Sequence, residues 1–180
     1  MRSLFFLVIC LSCAHAIVDD SRVKEIILKH VPEAKELIVL SDDRRPMMRE
    51  RTPLMAAVSS FVEGDMSFKD MCKIIEDDAP NTWKAIQPIF NLFSKKRESL
   101  KDSNAVAFID GILQDIKGLL RKAISNGADG PEAAMQFAKK TAATYESLPS
   151  AAKDEIKQVF HMIFDALEEA GVKLSDIQNM

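Results

Sequence analysis

The stretch that decides the fold is residues 103–125, SNAVAFIDGILQDIKGLLRKAIS. Its apolar residues recur at intervals of three and four, the spacing of one face of an α-helix. At about 100° per residue they occupy roughly one third of the helix circumference, and Asn126-Gly127 then supplies a stop signal. The stretch therefore predicts an amphipathic helix, with an apolar face made of Ile109, Ile112, Leu113, Ile116, Leu120 and Ile124.

The same spacing recurs along the rest of the chain, and apolar residues nowhere alternate over a long run as they do in a strand. Only 6 Gly and 7 Pro occur among 180 residues, too few for a loop-rich all-β fold. We therefore predict an all-α fold, a single globular domain of seven or more amphipathic helices; the apolar ligand cavity that we also expect inside it rests on the family resemblance described below. The other helices are expected from Ser21 to Pro32, Glu33 to Leu40, Thr52 to Gly64, Ser67 to Ile75, Pro80 to Phe93, Pro131 to Glu146 and Ser150 to Ala170.

Three local signals bear on the helix boundaries. Thr52-Pro53 combines a capping residue with a proline in the first turn, which favours a helix start at Thr52. The polar stretch from Ser41 to Glu50 is expected to be a loop or an irregular helix. Pro88 lies inside a helical pattern, so it is expected to kink that helix or to split it in two.

The first sixteen residues have the features of a secretion signal. Arg2 gives a positive start, Leu4 to Leu11 is almost wholly apolar, and Ala14-His15-Ala16 offers small residues for cleavage. A membrane anchor is the weaker alternative, because a span needs roughly 20 apolar residues. We therefore predict a signal peptide over 1–16, one domain over 17–180, and a secreted, extracellular protein.

Cysteine use and charge exclude several classes of protein. Cys10 and Cys13 leave with the signal, so Cys72 remains alone, and a secreted chain without an internal disulfide must be held together by its core. A small buried apolar residue is favoured for Cys72 over a reactive thiol. The net charge is −3, or −4 without Arg2, which disfavours a nucleic-acid partner.

The sequence lacks the patterns that carry catalysis. After the leader only His30 and His161 remain, far apart and without a Cys or His at metal-ligand spacing. No Gly-rich phosphate loop, zinc helix or nucleophile elbow occurs. We therefore predict no enzyme activity, no cofactor and no metal.

The apolar composition fits a lipid carrier. The chain has 10 Phe and 9 Met against 1 Trp and 1 Tyr, and flexible Met side chains adapt to apolar guests of different shape. Lys and Arg at the edge of an apolar face can hold a charge beside it, and this selects Lys117, Arg121 and Lys157 as contacts for a lipid carboxylate. The predicted apolar contacts are Ile109, Ile112, Leu113, Ile116, Leu120, Phe137, Phe160, Ile163, Phe164 and Leu167.

A basic run, Arg44, Arg45, Arg49 and Arg51, has three interpretations. It is a solvated loop, a site of dibasic processing after Arg45, or a surface for transient contact with anionic membranes. Each basic residue near such a membrane contributes about 1 kcal/mol, enough for docking but not for anchoring.

Several motifs together suggest a family. Residues 71–80 read MCKIIEDDAP, Glu98-Ser-Leu precedes Ala105-Val-Ala-Phe-Ile-Asp110, and residues 145–156 read YESLPSAAKDEI. In this order the chain resembles the nematode fatty-acid and retinol-binding proteins, over about 110 residues. Residues 99–105, Ser-Leu-Lys-Asp-Ser-Asn-Ala, lack the proline that the family pattern leads one to expect.

The resemblance implies a secreted helical shell around an internal cavity that takes fatty acids or retinol. The alternative is a secreted helical interaction module or antigen with a filled core and no lipid ligand. A packed core and a hollow one give almost the same sequence pattern, so both remain open at this point.

Overall fold

The computed structural model describes residues 20–42, 44–126 and 130–179. Over these ranges the chain forms ten α-helices and one 3-10 turn, Pro32–Ala34, and no strand. The predicted all-α class is confirmed; the leader 1–16 lies outside the described residues. The helices are α1 Asp20–His30, α2 Lys35–Asp42, α3 Arg44–Glu63, α4 Phe68–Asp78, α5 Pro80–Ser99, α6 Ser103–Asn126, α7 Gly130–Glu146, α8 Ser150–Val159, α9 His161–Glu169 and α10 Leu174–Asn179.

The arginine-rich run is helical, so of the two expected alternatives the loop is wrong, and the expected helix start at Thr52 is wrong as well. Helix α3 begins at Arg44 and continues through Pro53 to Glu63. Arg and Met are good helix formers, whereas Pro53 removes one backbone donor and its ring crowds the carbonyl four residues earlier. Tertiary contact also favours the helix, because Glu50 in this segment is buried against the start of α5.

Glu50 caps a helix from another part of the chain. Its two carboxylate oxygens accept hydrogen bonds from the backbone N–H groups of Asn81 and Thr82, at 2.9 and 2.8 Å. The Asn81 side-chain amide and the Thr82 hydroxyl donate to the same oxygens, at 2.6 and 2.8 Å. Burial raises the pKa of Glu50, but these hydrogen bonds outweigh it and hold the pKa below its ordinary value. The carboxylate therefore satisfies donors that the first turn of α5 leaves open.

Pro88 does not split its helix. Helix α5 is continuous over 20 residues with Pro88 inside it. Ala85, Ile86 and Ile89 on either side of the proline are all buried, so packing holds the segment in register. The possibility of two short helices is therefore excluded.

The last predicted helix is in fact two. Its continuous apolar face predicted one helix from Ser150 to Ala170, but the chain leaves helical geometry at Phe160, where φ is −106° and ψ is 27°. Lys96 donates from its ammonium group to the carbonyl oxygen of Val159 at 2.6 Å, and the N–H of Ile163 bonds to Phe160 instead. A side chain inserted into the helical hydrogen-bond ladder is a common cause of a break.

The helices pack around one hydrophobic core. Helix α5 packs against α2, α3, α4 and the 3-10 turn, while α6 packs against α3, α7 and α8. Helix α1 packs on α9, and α10 packs on α7. The core extends from Val23 in α1 to Ile177 in α10, so nearly every helix contributes to it. Among the helices over 20–42, 44–126 and 130–179, none has the length and hydropathy of a membrane span.

Candidate functional site

Most of the predicted apolar contacts lie in the hydrophobic core. One group is at most 8% exposed, a second is half-buried against the same core, and the side chains of a third lie outside the described residues. The structure therefore brings α6, α7, α9 and the α8–α9 break together around one apolar region. The residues that are at most 8% exposed are Ile112, Ile116, Phe137, Phe160, Ile163 and Leu167. The half-buried ones are Ile109 and Phe164, and the side chains outside the described residues are those of Leu113 and Leu120.

Aromatic rings join the helices around this region. The ring of Tyr145 in α7 lies 5.9 Å from Phe108 in α6 and 5.6 Å from Phe164 in α9, measured between centroids. The Tyr145 hydroxyl donates to the Lys153 carbonyl at 3.3 Å. Burial, with smaller contributions from Glu146 and Asp154, raises the pKa of Tyr145 above its ordinary value. Tyr145 thus stays a neutral donor at the edge of the apolar region.

Two of the three predicted cations lie beside the end of α3. The Lys117 ammonium group sits 4.9 Å from the ring centroid of Phe61. Arg121, one turn further along α6, donates to the Val62 carbonyl at 2.7 Å. Carbonyl groups at a helix C-terminus attract cations, and aromatic faces do the same. Lys117 is half-buried, whereas Arg121 is exposed.

Phe61 belongs to a second aromatic group. Phe68 lies 5.8 Å from Phe61 and 5.3 Å from Phe90, so one ring from each of α3, α4 and α5 forms a row. All three rings are half-buried. Lys117 at the end of this row has the arrangement expected of a cation beside an apolar surface.

The third predicted cation, Lys157, lies on the exposed face of α8. The lysine that reaches toward the core here is Lys96 at the end of α5, which is half-buried and bonds to the Val159 carbonyl. One turn before it, the buried ring of Phe93 lies 5.6 Å from that of Phe160. Lys96 is thus the cation next to the predicted contact Phe160.

A depression of about 420 Å³ opens to solvent beside Lys96. Glu155 in its wall accepts hydrogen bonds from the backbone N–H groups of Lys101 and Asp102, at 2.9 and 2.8 Å, and so holds the connection between α5 and α6. Asp102 in turn caps α6, because its side chain accepts from the N–H groups of Asn104 and Ala105. The depression lies where the end of α5, the start of α6, α8 and the start of α9 meet. It is lined by Lys96, Ser99, Lys101, Glu155, Gln158, Val159 and His161.

Sequence reasoning missed Lys96 and Glu50. Lys96 stands three residues after Phe93 in a basic run that ends a helix, which is an ordinary position for a solvated lysine. Glu50 stands between arginines, where a surface ion pair is the simple expectation. Both contact residues more than 30 positions away, and a local pattern does not carry that information.

The arginine-rich run presents charge to solvent. Arg49 and Arg51 are exposed on α3, and Met55, one turn after Arg51, is 40% exposed. The side chains of Arg44 and Arg45 lie outside the described residues.

The histidines show no metal site. His30 lies 2.7 Å from a carboxylate oxygen of Glu169, which Lys29 also contacts at 2.7 Å. Hydrogen bonds from Lys29 and His30 lower the pKa of Glu169 from its ordinary value. In the part of the chain that the structure describes, no group of three or more His, Cys, Asp or Glu residues is arranged to hold a metal ion.

Comparison with known proteins identifies a family. The family model described as nematode fatty acid retinoid binding protein (Gp-FAR-1) matches residues 48–177, well over half of the chain. No curated protein and no solved structure matches this chain. The matched range begins in α3 and ends in α10, so it includes α6, α7, α9 and every residue that lines the depression.

Proposed function

Because the chain belongs to the nematode fatty acid retinoid binding protein family, we propose that it is an extracellular carrier that binds fatty acids, retinol or both in an internal apolar site. The family match is the observation that carries this proposal. Carriage requires no covalent chemistry, and we propose none. The sixteen-residue leader supports secretion, because its composition is that of a signal peptide.

The apolar region enclosed by α6, α7 and α9 is the proposed location of the lipid tail. Ile116, Phe137 and Ile163, one from each helix, are buried and have no polar groups to satisfy. Transfer of an alkyl chain from water gains about 0.8 kcal/mol per methylene, so fifteen methylenes give about 12 kcal/mol before losses. Lost ligand freedom removes several kcal/mol, which leaves micromolar or tighter binding.

The polar head group requires a donor or a cation at the edge of this region. Lys117, Arg121 and Lys157 are the proposed contacts on the sequence pattern. Of these, half-buried Lys117 beside Phe61 has the surroundings that best support the role. A partly exposed ion pair contributes about 1 kcal/mol or less, so such a contact orients the ligand more than it holds it.

Lipid uptake tests the carrier directly. The purified, delipidated protein is titrated with a fluorescent fatty acid and with retinol, and unlabelled oleate is then added to displace the probe. We expect saturable binding near one ligand per chain, a micromolar or lower Kd, and displacement by oleate. Native mass spectrometry of gently purified protein provides a second readout through co-purified lipid.

The alternative with a filled core gives the opposite result. A clean apo mass, together with no saturable uptake of either probe by protein that circular dichroism shows to be helical, would refute the carrier and favour an interaction module. Hydrolysis of a lipid ester during incubation would instead refute the absence of catalysis.

We also propose transient contact with anionic membranes through α3. Exposed Arg49 and Arg51 attract anionic head groups, and exposed Met55 offers an apolar side chain next to them. Arg44 and Arg45 belong to the same proposed surface on sequence grounds. Two arginines contribute about 2 kcal/mol of attraction, or roughly 30-fold in vesicle affinity.

Vesicle sedimentation tests this contact. Arg49→Gln/Arg51→Gln should weaken binding to anionic vesicles and leave binding to zwitterionic vesicles unchanged. Lys69→Gln/Lys73→Gln on α4 is the matched control, since it removes two exposed charges from another helix. Equal losses for the two double variants would show that net charge, and not α3, governs the attraction.

A further inference from the structure

The depression beside Lys96 differs from an ordinary surface hollow because it adjoins the core. Val159 in its wall is half-buried and packs against the core, and its neighbour Phe160 is only 3% exposed. Leu100, between the lining residues Ser99 and Lys101, is also buried. Residues that line the polar depression are therefore direct neighbours in the chain of residues buried in the apolar core.

The Lys96 ammonium group has more hydrogen-bond donors than its contact with the Val159 carbonyl uses. Its ammonium group has three N–H donors, and one of them is used by the Val159 carbonyl at 2.6 Å. That bond fixes the ammonium group over the α8–α9 break without neutralising its charge. The remaining donors can serve a carboxylate, which accepts through two oxygens.

The other charges around the opening favour an anion. Lys101 adds a second positive charge, and His161 adds a ring whose Nδ1 lies 3.2 Å from the Gln158 carbonyl. Glu155 is the one acidic group in the lining, and each of its oxygens accepts a backbone N–H group from the connection before α6. The nearby guanidinium of Arg97 is paired with Asp110 at 2.6 Å, which leaves Lys96 and Lys101 as the cations that face the opening.

From this arrangement we propose that the depression holds the carboxylate of a bound fatty acid, with Lys96 as its main donor and the acyl chain running past Val159 into the core. The volume of about 420 Å³ accommodates a head group and its first methylenes. The inference rests on the proposed carrier function and places the head group beside Lys96 instead of Lys117, at a residue that the sequence pattern did not select. It also predicts selectivity, because retinol and fatty alcohols bring no negative charge to Lys96.

The experiment compares an acid with the matching alcohol. Kd values for oleate and oleyl alcohol are measured by probe displacement for the wild type, Lys96→Met, Lys101→Met, Lys117→Met and Lys157→Met. Methionine keeps much of the apolar stem and removes the charge. We expect Lys96→Met to weaken oleate binding about fivefold, the effect of one partly exposed ion pair, and to change oleyl alcohol binding less than twofold. The same Kd values are measured for Lys95→Met, the matched control, which removes an exposed lysine from the same helix outside the depression and should leave the ratio of the two Kd values unchanged.

A second readout follows the ligand itself. With [1-13C]oleate bound, the carboxyl resonance reports its titration, and a neighbouring cation lowers the pKa of that carboxyl group. We expect a higher pKa for the bound ligand in Lys96→Met than in the wild type. Lys96→Arg, which keeps the positive charge, should restore the wild-type value.

The outcomes separate the two proposals. If the wild type binds neither oleate nor oleyl alcohol, the carrier function itself fails. If it binds both and Lys96→Met leaves the acid-to-alcohol ratio unchanged, this inference is overturned; a changed ratio in Lys117→Met then places the head group beside Phe61. Should Lys96→Met fail to fold, Lys101→Met decides: a lowered oleate affinity with an unchanged oleyl alcohol affinity supports the site, and unchanged affinities for both ligands refute it.

Discussion

Replacing Glu50 with alanine should destabilise the protein more than any ordinary surface change. Glu50 is 7% exposed, and Thr82, whose N–H and hydroxyl both donate to it, is 5% exposed. Glu50→Ala leaves both Thr82 donors without an acceptor and away from water. An unsatisfied buried donor costs about 1–3 kcal/mol, so two of them predict a loss of about 3 kcal/mol in the free energy of unfolding.

Asn81 is exposed, and its donors can return to water at little cost. Glu50→Gln keeps one acceptor oxygen for either Asn81 or Thr82. Its NH2 group then faces the N–H and side-chain donors of whichever residue has lost its acceptor, so we expect a loss of about 2 kcal/mol in the free energy of unfolding. Glu63→Ala is the matched control, because Glu63 is an exposed glutamate on the same helix; its effect should stay within about 0.5 kcal/mol. Urea denaturation followed by circular dichroism gives all three values.

The contribution of Glu50 should depend on pH in a defined direction. The folded state holds the pKa of Glu50 below its ordinary value of 4.5, so the folded state favours the ionised form. The stabilisation is therefore complete above the ordinary pKa and is lost as pH falls through the lowered, folded value. The gap between wild type and Glu50→Ala should shrink from pH 7 to pH 3. A gap of the same size at both pH values, or wild-type stability of Glu50→Ala at pH 7, would refute the buried cap.

Two further substitutions test how much a helix cap and a core side chain contribute to the free energy of unfolding. Ser67 accepts a hydrogen bond from the Asp70 N–H at 3.2 Å and caps α4, so Ser67→Ala should cost about 1 kcal/mol and Ser67→Gly only a few tenths. Wild-type stability of Ser67→Ala would contradict a side-chain cap. Ile116 is 4% exposed, so Ile116→Ala should cost about 3 kcal/mol in urea denaturation, whereas a loss below about 1 kcal/mol would show that Ile116 has few packing partners.

The secondary structure was predictable wherever local signals agreed. The spacing of apolar residues predicted α6 within one residue of its observed end, and Ser67 with Asp70 predicted the start of α4. It also selected Ile112, Ile116, Phe137 and Ile163, which the structure buries. These predictions hold because a helix face and a helix cap depend on residues at most a few positions apart.

The errors arose where distant residues compete with local signals. Thr52-Pro53 has the local chemistry of a helix start, yet the helix runs through it and Glu50 bonds to the first turn of α5. The apolar face from Ser150 to Ala170 is continuous, yet Lys96 takes the carbonyl of Val159 and the helix breaks. Both interactions form only when segments far apart in the chain meet.

The amino-acid order alone determined that this protein is helical, which faces of its helices are apolar, and which family it resembles. Only the tertiary structure decided which lysine stands at the opening to the core, where the last long apolar segment breaks, and that a glutamate among arginines is buried. The physical reason is range: the apolar periodicity of a helix is repeated every turn, whereas the position of a charge beside the core depends on a single contact between helices that are remote in sequence.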